Sequence, residues 1–277
     1  MLIEILKAIA QGVIQGITEW LPVSSTGHIL LLDSVWKMDA SEAFFDVFKV
    51  IIQLGSIMAV VVLYFHKLNP FSPKKSKEKQ KGTWVLWSKV LVASVPAAIA
   101  GLLLDDLIDS TLSVPVVIAA ALIVYGIGFL WLESNKNRTT RVNSLEEMSY
   151  KHAFGIGAFQ MLALIPGTSR SGYTILGGML SGVSRVASAE FSFFMAIPVM
   201  LGASLLKVVK FILDGVSVSG FEISLLGVAM AVSFIVSVIS IRFLMDFVKK
   251  RSFALFGVYR IILGVIVIGY FVVKICI

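Results

Sequence analysis

The stretch Gln15-Gly16-Ile17-Thr18-Glu19-Trp20-Leu21-Pro22-Val23-Ser24-Ser25-Thr26-Gly27-His28 places an acid, an amide, several hydroxyls, a proline and glycine break and a histidine between two apolar segments. Each flanking segment is shorter than the roughly 20 helical residues that a bilayer core requires. An ionisable side chain held at bilayer depth costs about 2.5–3.5 kcal/mol on insertion scales, which makes the cluster a candidate functional site.

The surrounding composition decides the solvent. Of the 277 residues, 57% are hydrophobic and 15% charged, and the mean hydropathy is +0.92. Such a chain is an integral membrane protein rather than a soluble enzyme. The apolar runs predict one polytopic domain over 1–277. Cys276 is the single cysteine, so a disulfide framework and a cysteine-based metal site are both excluded. The lysines 74, 75, 77, 79 and 81 lie beside a membrane span and read as a topology determinant, so no nucleic-acid partner is expected. Association into a homo-oligomer stays open.

Outward from the first stretch, residues 5–21 read as a short helix ended by Pro22 and the Ser-Ser-Thr-Gly run. A second short helix is expected to start at Ser24 or Ser25, either of which can cap it, and to run to Trp36. Together they read as a re-entrant hairpin. The break Pro166-Gly167-Thr168-Ser169-Arg170-Ser171-Gly172, between a helix over 152–165 and an apolar segment to Leu180, predicts a second one. Full spans are expected at 43–65, 84–104, 114–131, 186–212, 222–247 and 253–275.

Basic loops at 74–81, 136–141 and 249–251 belong inside, and a loop holding Asp105, Asp106 and Asp109 belongs outside. Gln15 and Gly27 match Gln160 and Gly172 at an offset of 145, while Ser41, Phe44, Leu54 and Gly55 match Ser188, Phe191, Leu201 and Gly202 at 147. Each half, about 1–135 and 150–277, holds one hairpin and three spans, so the second half enters the membrane upside down. The expected fold is therefore an all-α polytopic membrane protein: six full transmembrane helices plus two re-entrant helix hairpins in an inverted repeat. The first hairpin dips in from outside, the second rises from the cytoplasm, and their tips meet near the midplane.

Two half-helix N-termini facing one cavity suit an anion, and Arg170 adds a planar donor fit for phosphate. Gln15 and Glu19 share one face of the first short helix; Ser25 and His28 share a face of the second. The Ser25 hydroxyl needs a proton acceptor, and His28 suits that role or that of acid to the leaving group. Three roles are open to Glu19: orienting His28, acting as the base, or holding a divalent cation on phosphate oxygens. A structural ion pair between Glu19 and Arg170 is the competing reading. Glu190, Arg242 and Arg260 either line the cavity or, for the two arginines, snorkel.

With the two motifs in hand, the chain resembles the bacterial undecaprenyl-diphosphatase family, the bacitracin-resistance proteins, in overall length and span pattern as well. The resemblance implies removal of the terminal phosphate of undecaprenyl diphosphate at the plasma membrane, which regenerates the lipid carrier for cell-wall synthesis. On the charge rule, the active site is expected to open to the outer face. Its polyprenyl diphosphate substrate and a divalent cation, magnesium or calcium, would be the partners. By resemblance the acidic motif falls on Gln15 and Glu19, the serine nucleophile on Ser25, the histidine on His28 and the phosphate-binding arginine on Arg170. Ser24, Thr26 and Ser169 fall on supporting hydroxyls, and Gly27 and Thr168 complete the expected phosphate-binding set. Gln15 is a departure, since some similar members carry a second glutamate there, which counts against two carboxylates on a metal. A polyprenyl-phosphate transporter or flippase is the alternative, because inverted repeats with tips at the midplane are also transporter architecture.

Overall fold

A computed structural model describes residues 1–111, 114–135, 139–216 and 218–276. In chain order its helices are α1 (Leu2–Thr18), α2 (Ser25–Val35), α3 (Glu42–Leu63), α4 (Phe65–Leu68), α5 (Lys77–Thr111) and α6 (Pro115–Ser134). These are followed by α7 (Tyr150–Met161), a 3-10 turn at Leu162–Leu164, α8 (Arg170–Leu180), α9 (Arg185–Leu213), α10 (Gly220–Lys250) and α11 (Ala254–Cys276). Six of them, α3, α5, α6, α9, α10 and α11, are long and apolar enough to cross a membrane, and the protein is a multi-pass membrane protein.

The expected short helices and spans are present with shifted ends. The first helix stops at Thr18, three residues before the expected end, and a run of turns carries the chain to Ser24. The helix α5 continues through Asp105, Asp106 and Asp109, which were expected in a loop. It also takes in Lys77, Lys79 and Lys81 at its start, where an extended basic loop was expected. Of the basic linker, Lys136 and Arg138 lie outside the described residues. Pro96 and Pro198 sit inside α5 and α9 without ending them. Ser41 caps α3, whereas its sequence match Ser188 lies one turn inside α9, whose cap is Ser184.

Helix pairs are set by small residues, as is usual where lipid supplies no drive for helices to associate. In this way α1 packs on α10 and α7 on α5. A Cβ added at Gly12 would come within 2.6 Å of Ala229 O, and one at Gly157 within 2.2 Å of Ala93 O, so both crossings need glycine. Behind α1, Ser56 and Ser233 share a bond of 2.7 Å and Ser237 donates to Ser56 Oγ at 3.0 Å, which satisfies the hydroxyls between α3 and α10. The helices α3 and α9 pack together, as do α6 and α11. The main core gathers Trp20, Phe129, Ile175, Phe191 and Phe193 around α8 and α9, beneath the two breaks in the chain.

Candidate active site

Each break ends on a serine with positive φ. Ser24 (φ 75°) precedes α2 and Ser169 (φ 72°) precedes α8, and each hydroxyl caps its helix by accepting from a glycine N–H, that of Gly27 at 3.3 Å and of Gly172 at 3.2 Å. Left-handed backbone is costly for a residue with a side chain and clusters at functional sites, where the surroundings enforce it. Here the cap bond is local compensation for that strain. The first residue of each helix is one of the expected site residues: Ser25 on α2 and Arg170 on α8.

Glu19 lies between them. Its carboxylate accepts from Ser25 Oγ (2.8 Å) and Gln15 Nε2 (2.9 Å) on Oε2, and from Arg170 Nη2 (2.9 Å) on Oε1. With 6% of its side chain exposed, this is a buried, charge-assisted cluster. Arg170 spends Nη1 on Ser192 O at 3.0 Å, faces the Trp20 ring at 5.8 Å, and keeps Nε free of any partner. Ser171 Oγ donates to Glu19 O at 3.0 Å, binding the second tip to the first. The ion pair weighed from sequence is thus present, and it leaves the arginine with donors for a ligand.

His28 is held elsewhere. Its Nδ1 lies 2.7 Å from Ser24 O and its Nε2 2.7 Å from the Tyr259 hydroxyl, with the two rings stacked at an interplanar angle of 4°. A carbonyl can only accept, so Nδ1 carries the proton and Nε2 of the neutral ring accepts from Tyr259. The helical spacing of Ser25 and His28 therefore does not become a hydrogen bond between them; the Ser25 proton points at Glu19. Thr26 is exposed beside Ser25, while Thr168 is buried and donates to Ile165 O at 2.6 Å.

For Glu190, Arg242 and Arg260 the sequence leaves open lining the cavity or, for the two arginines, snorkelling, and the structure separates them. Glu190 pairs with Lys67 at 2.8 Å, Arg242 is exposed on α10, and Arg260 neither snorkels nor lines the cavity. Fully buried, Arg260 bonds the carbonyls of Pro22, Gly167 and Thr168, joining the two breaks. Sequence reasoning missed Tyr259, Ser171 and Ser192; the one available signal was a tyrosine and arginine pair inside an apolar span.

A divalent cation was expected on Glu19. Among the described residues no three of His, Cys, Asp or Glu gather as a metal cage would require. Gln15 Oε1, however, is buried without a hydrogen-bond partner next to the carboxylate. One carboxylate and one amide oxygen fit an ion of the magnesium type, which takes few protein ligands and shares substrate phosphates.

The family model for Bacitracin resistance protein BacA matches residues 8–266. The chain is 55% identical over 271 residues to an undecaprenyl-diphosphatase of Lactiplantibacillus plantarum, covering 98% of both chains. It is 56% identical over 265 residues to one of Enterococcus faecalis, covering 95% of this chain and 96% of the other. With one from Streptococcus thermophilus it shares 50% identity over 274 residues, 99% of this chain and 95% of that one.

Proposed function

The chain belongs to the bacitracin resistance protein BacA family, and on that premise we propose that it hydrolyses undecaprenyl diphosphate to undecaprenyl phosphate and inorganic phosphate. This activity recycles the lipid carrier for cell-wall synthesis and resists bacitracin. The observation that carries the mechanism is the contact of Ser25 Oγ with Glu19 Oε2 at 2.8 Å while Arg170 holds the other carboxylate oxygen. A hydroxyl within hydrogen-bond reach of a fixed carboxylate is a nucleophile with its base.

In this reading Ser25 Oγ attacks the terminal phosphorus and its proton passes to Glu19. The anhydride P–O bond breaks and undecaprenyl phosphate leaves with the bonding electrons. Water then hydrolyses the phosphoserine, releasing inorganic phosphate and restoring Ser25. The free donors of Arg170, with the first N–H groups of α2 and α8, stabilise the phosphoryl oxygens. His28 supplies proton transfer for the leaving group or the incoming water. Gln15 and Glu19 would hold a divalent cation, magnesium or calcium, whose chemistry when bound is to neutralise phosphoryl charge. Ser24, Gly27, Thr168 and Ser169 shape the tips, and Thr26 stands exposed where the phosphate enters.

The same proposal includes an inverted repeat with two re-entrant hairpins. Its support is the reciprocal packing of α1 on α10 and α7 on α5, the pairing of α3 with α9 and α6 with α11, and the duplicated serine caps at an offset of 145. Basic loops inside then place both chain ends outside and open the site to the outer face of the bacterial plasma membrane. Transport of the polyprenyl phosphate is the weaker reading, because a carrier has no need of a hydroxyl poised on a carboxylate.

Phosphate release by the purified protein supplied with undecaprenyl diphosphate tests the function. Ser25→Ala and His28→Ala should abolish it while leaving lipid binding largely intact. Activity surviving both changes would overturn the serine mechanism.

A further inference from the structure

We infer that helix α11 is a third component of the active site, acting through Tyr259 and Arg260 as positioning residues. The inference deepens the phosphatase reading and rests on it.

Arg260 is 0% exposed. Its Nη1 donates to Pro22 O at 3.1 Å, and its Nη2 to Gly167 O at 3.1 Å and Thr168 O at 2.8 Å. Its Nε reaches Leu122 O at 3.5 Å, and the Tyr125 ring faces the guanidinium at 5.5 Å. All the acceptors are backbone carbonyls. A buried charge is costly unless its donors are met, and an apolar residue would fill the same volume without that cost. What the planar fork does that an apolar group cannot is bond two chain segments at once.

Those segments are the peptides just ahead of Ser24 and just ahead of Ser169, the two left-handed caps. One rigid group therefore sets the separation of the helix starts that carry Ser25 and Arg170. Gly172 leaves the room it needs, since a Cβ there would stand 3.2 Å from Arg260 Nη1. The adjacent residue completes the brace: the Tyr259 hydroxyl holds His28 Nε2 at 2.7 Å while Ser24 O holds Nδ1 at 2.7 Å. Tyr259 and Arg260 thus tie α11 to the imidazole and to both breaks.

The test uses the full chain, with kcat and KM for undecaprenyl diphosphate and Tm measured in one detergent. Arg260→Lys keeps the charge but replaces the planar fork by one ammonium with three donors for four carbonyls, and should lower kcat about 100-fold with KM within about threefold. Tyr259→Phe keeps the exposed ring and removes only the hydroxyl; it should lower kcat about tenfold at unchanged Tm. Wild-type kcat in both variants, or a loss confined to KM or to Tm, overturns the inference. If Arg260→Lys fails to fold, Tyr259→Phe decides by the same criteria.

An arm that needs no turnover separates this inference from the phosphatase reading. In protein labelled with ¹⁵N-histidine, the unprotonated Nε2 of His28 should shift when Tyr259 becomes Phe, with His66 and His152 as unmoved references. An unchanged resonance overturns the positioning role, whereas a wild-type protein that releases no phosphate but shows the shift overturns only the proposed function.

Discussion

The two tips share a backbone turn and its serine cap and differ in the side chains that follow. Both start an 11-residue helix from a serine of positive φ whose hydroxyl caps a glycine N–H two residues into the helix. At the first position one tip offers Ser25 and the other Arg170; at the fourth, one has His28 and the other Tyr173. Their surroundings diverge as well. Nine of the eleven residues of α8 are buried, against Gly27 and Ile29 alone on α2. The second tip is an anchor set in the core that presents an arginine, and the first is a more accessible edge that presents a serine and a histidine. One turn with a serine cap thus occurs twice with different chemistry beside it, because the turn and its cap leave the side chain at the first helical position free to vary.

The largest expected effect tests that difference. Removing the proposed nucleophile by Ser25→Ala should reduce kcat by at least roughly 10³-fold with little change in Tm, since Ser25 is partly exposed and makes one side-chain bond. A loss below tenfold in a phosphate-release assay would mean the first tip is not the reacting one.

Glu19→Gln comes next and should affect both tips. Loss of the base is worth about 10²–10⁴ in rate, and an unpaired Arg170 in a buried cluster costs about 3–5 kcal/mol. Slowed turnover together with a lowered Tm is the expected pair of results. Unchanged stability would mean that the link between the tips runs through Arg260 and Ser171 rather than through the ion pair.

A smaller change should follow from Arg170→Lys, which keeps the charge but loses the planar fork that meets Ser192 O and Glu19 from two separate nitrogens. A drop in kcat/KM of about 10- to 100-fold, roughly 1.4–2.7 kcal/mol of transition-state stabilisation, is expected. Near-normal turnover at unchanged Tm would refute the phosphate role and leave a structural pair.

The smallest effects compare the caps themselves. Ser24→Ala should destabilise by about 1–2 kcal/mol and Ser169→Ala by about 0.5–1 kcal/mol, because Ser24 and its cap bond are buried, whereas the part-buried bond of Ser169 is one that water can replace. Equal shifts in denaturation midpoint would argue that the two tips are equally solvated.

Much of this is legible in the sequence alone. Composition and run length identified a membrane protein and its six spans, since a lipid solvent leaves a plain signature in hydropathy. Pro22 and the polar runs marked both breaks, because no other residues interrupt an apolar helix so sharply. Glu19, Ser25 and Arg170 are singled out from the two polar breaks because ionisable groups are costly among apolar segments, and the structure brings the three into contact.

The partners were decided only by tertiary structure. Helical spacing put Ser25 and His28 on one face, yet the imidazole bonds Ser24 O and Tyr259, which lies 231 residues away, while Ser25 turns back to Glu19. Arg260 could not be placed from sequence, because nothing local distinguishes an arginine that snorkels from one that bonds carbonyls of two distant breaks. Periodicity encodes which face of a helix a residue occupies; which segment packs against that face depends on the crossing of helices far apart in the chain, and that is set by close contacts such as those of Gly12 and Gly157.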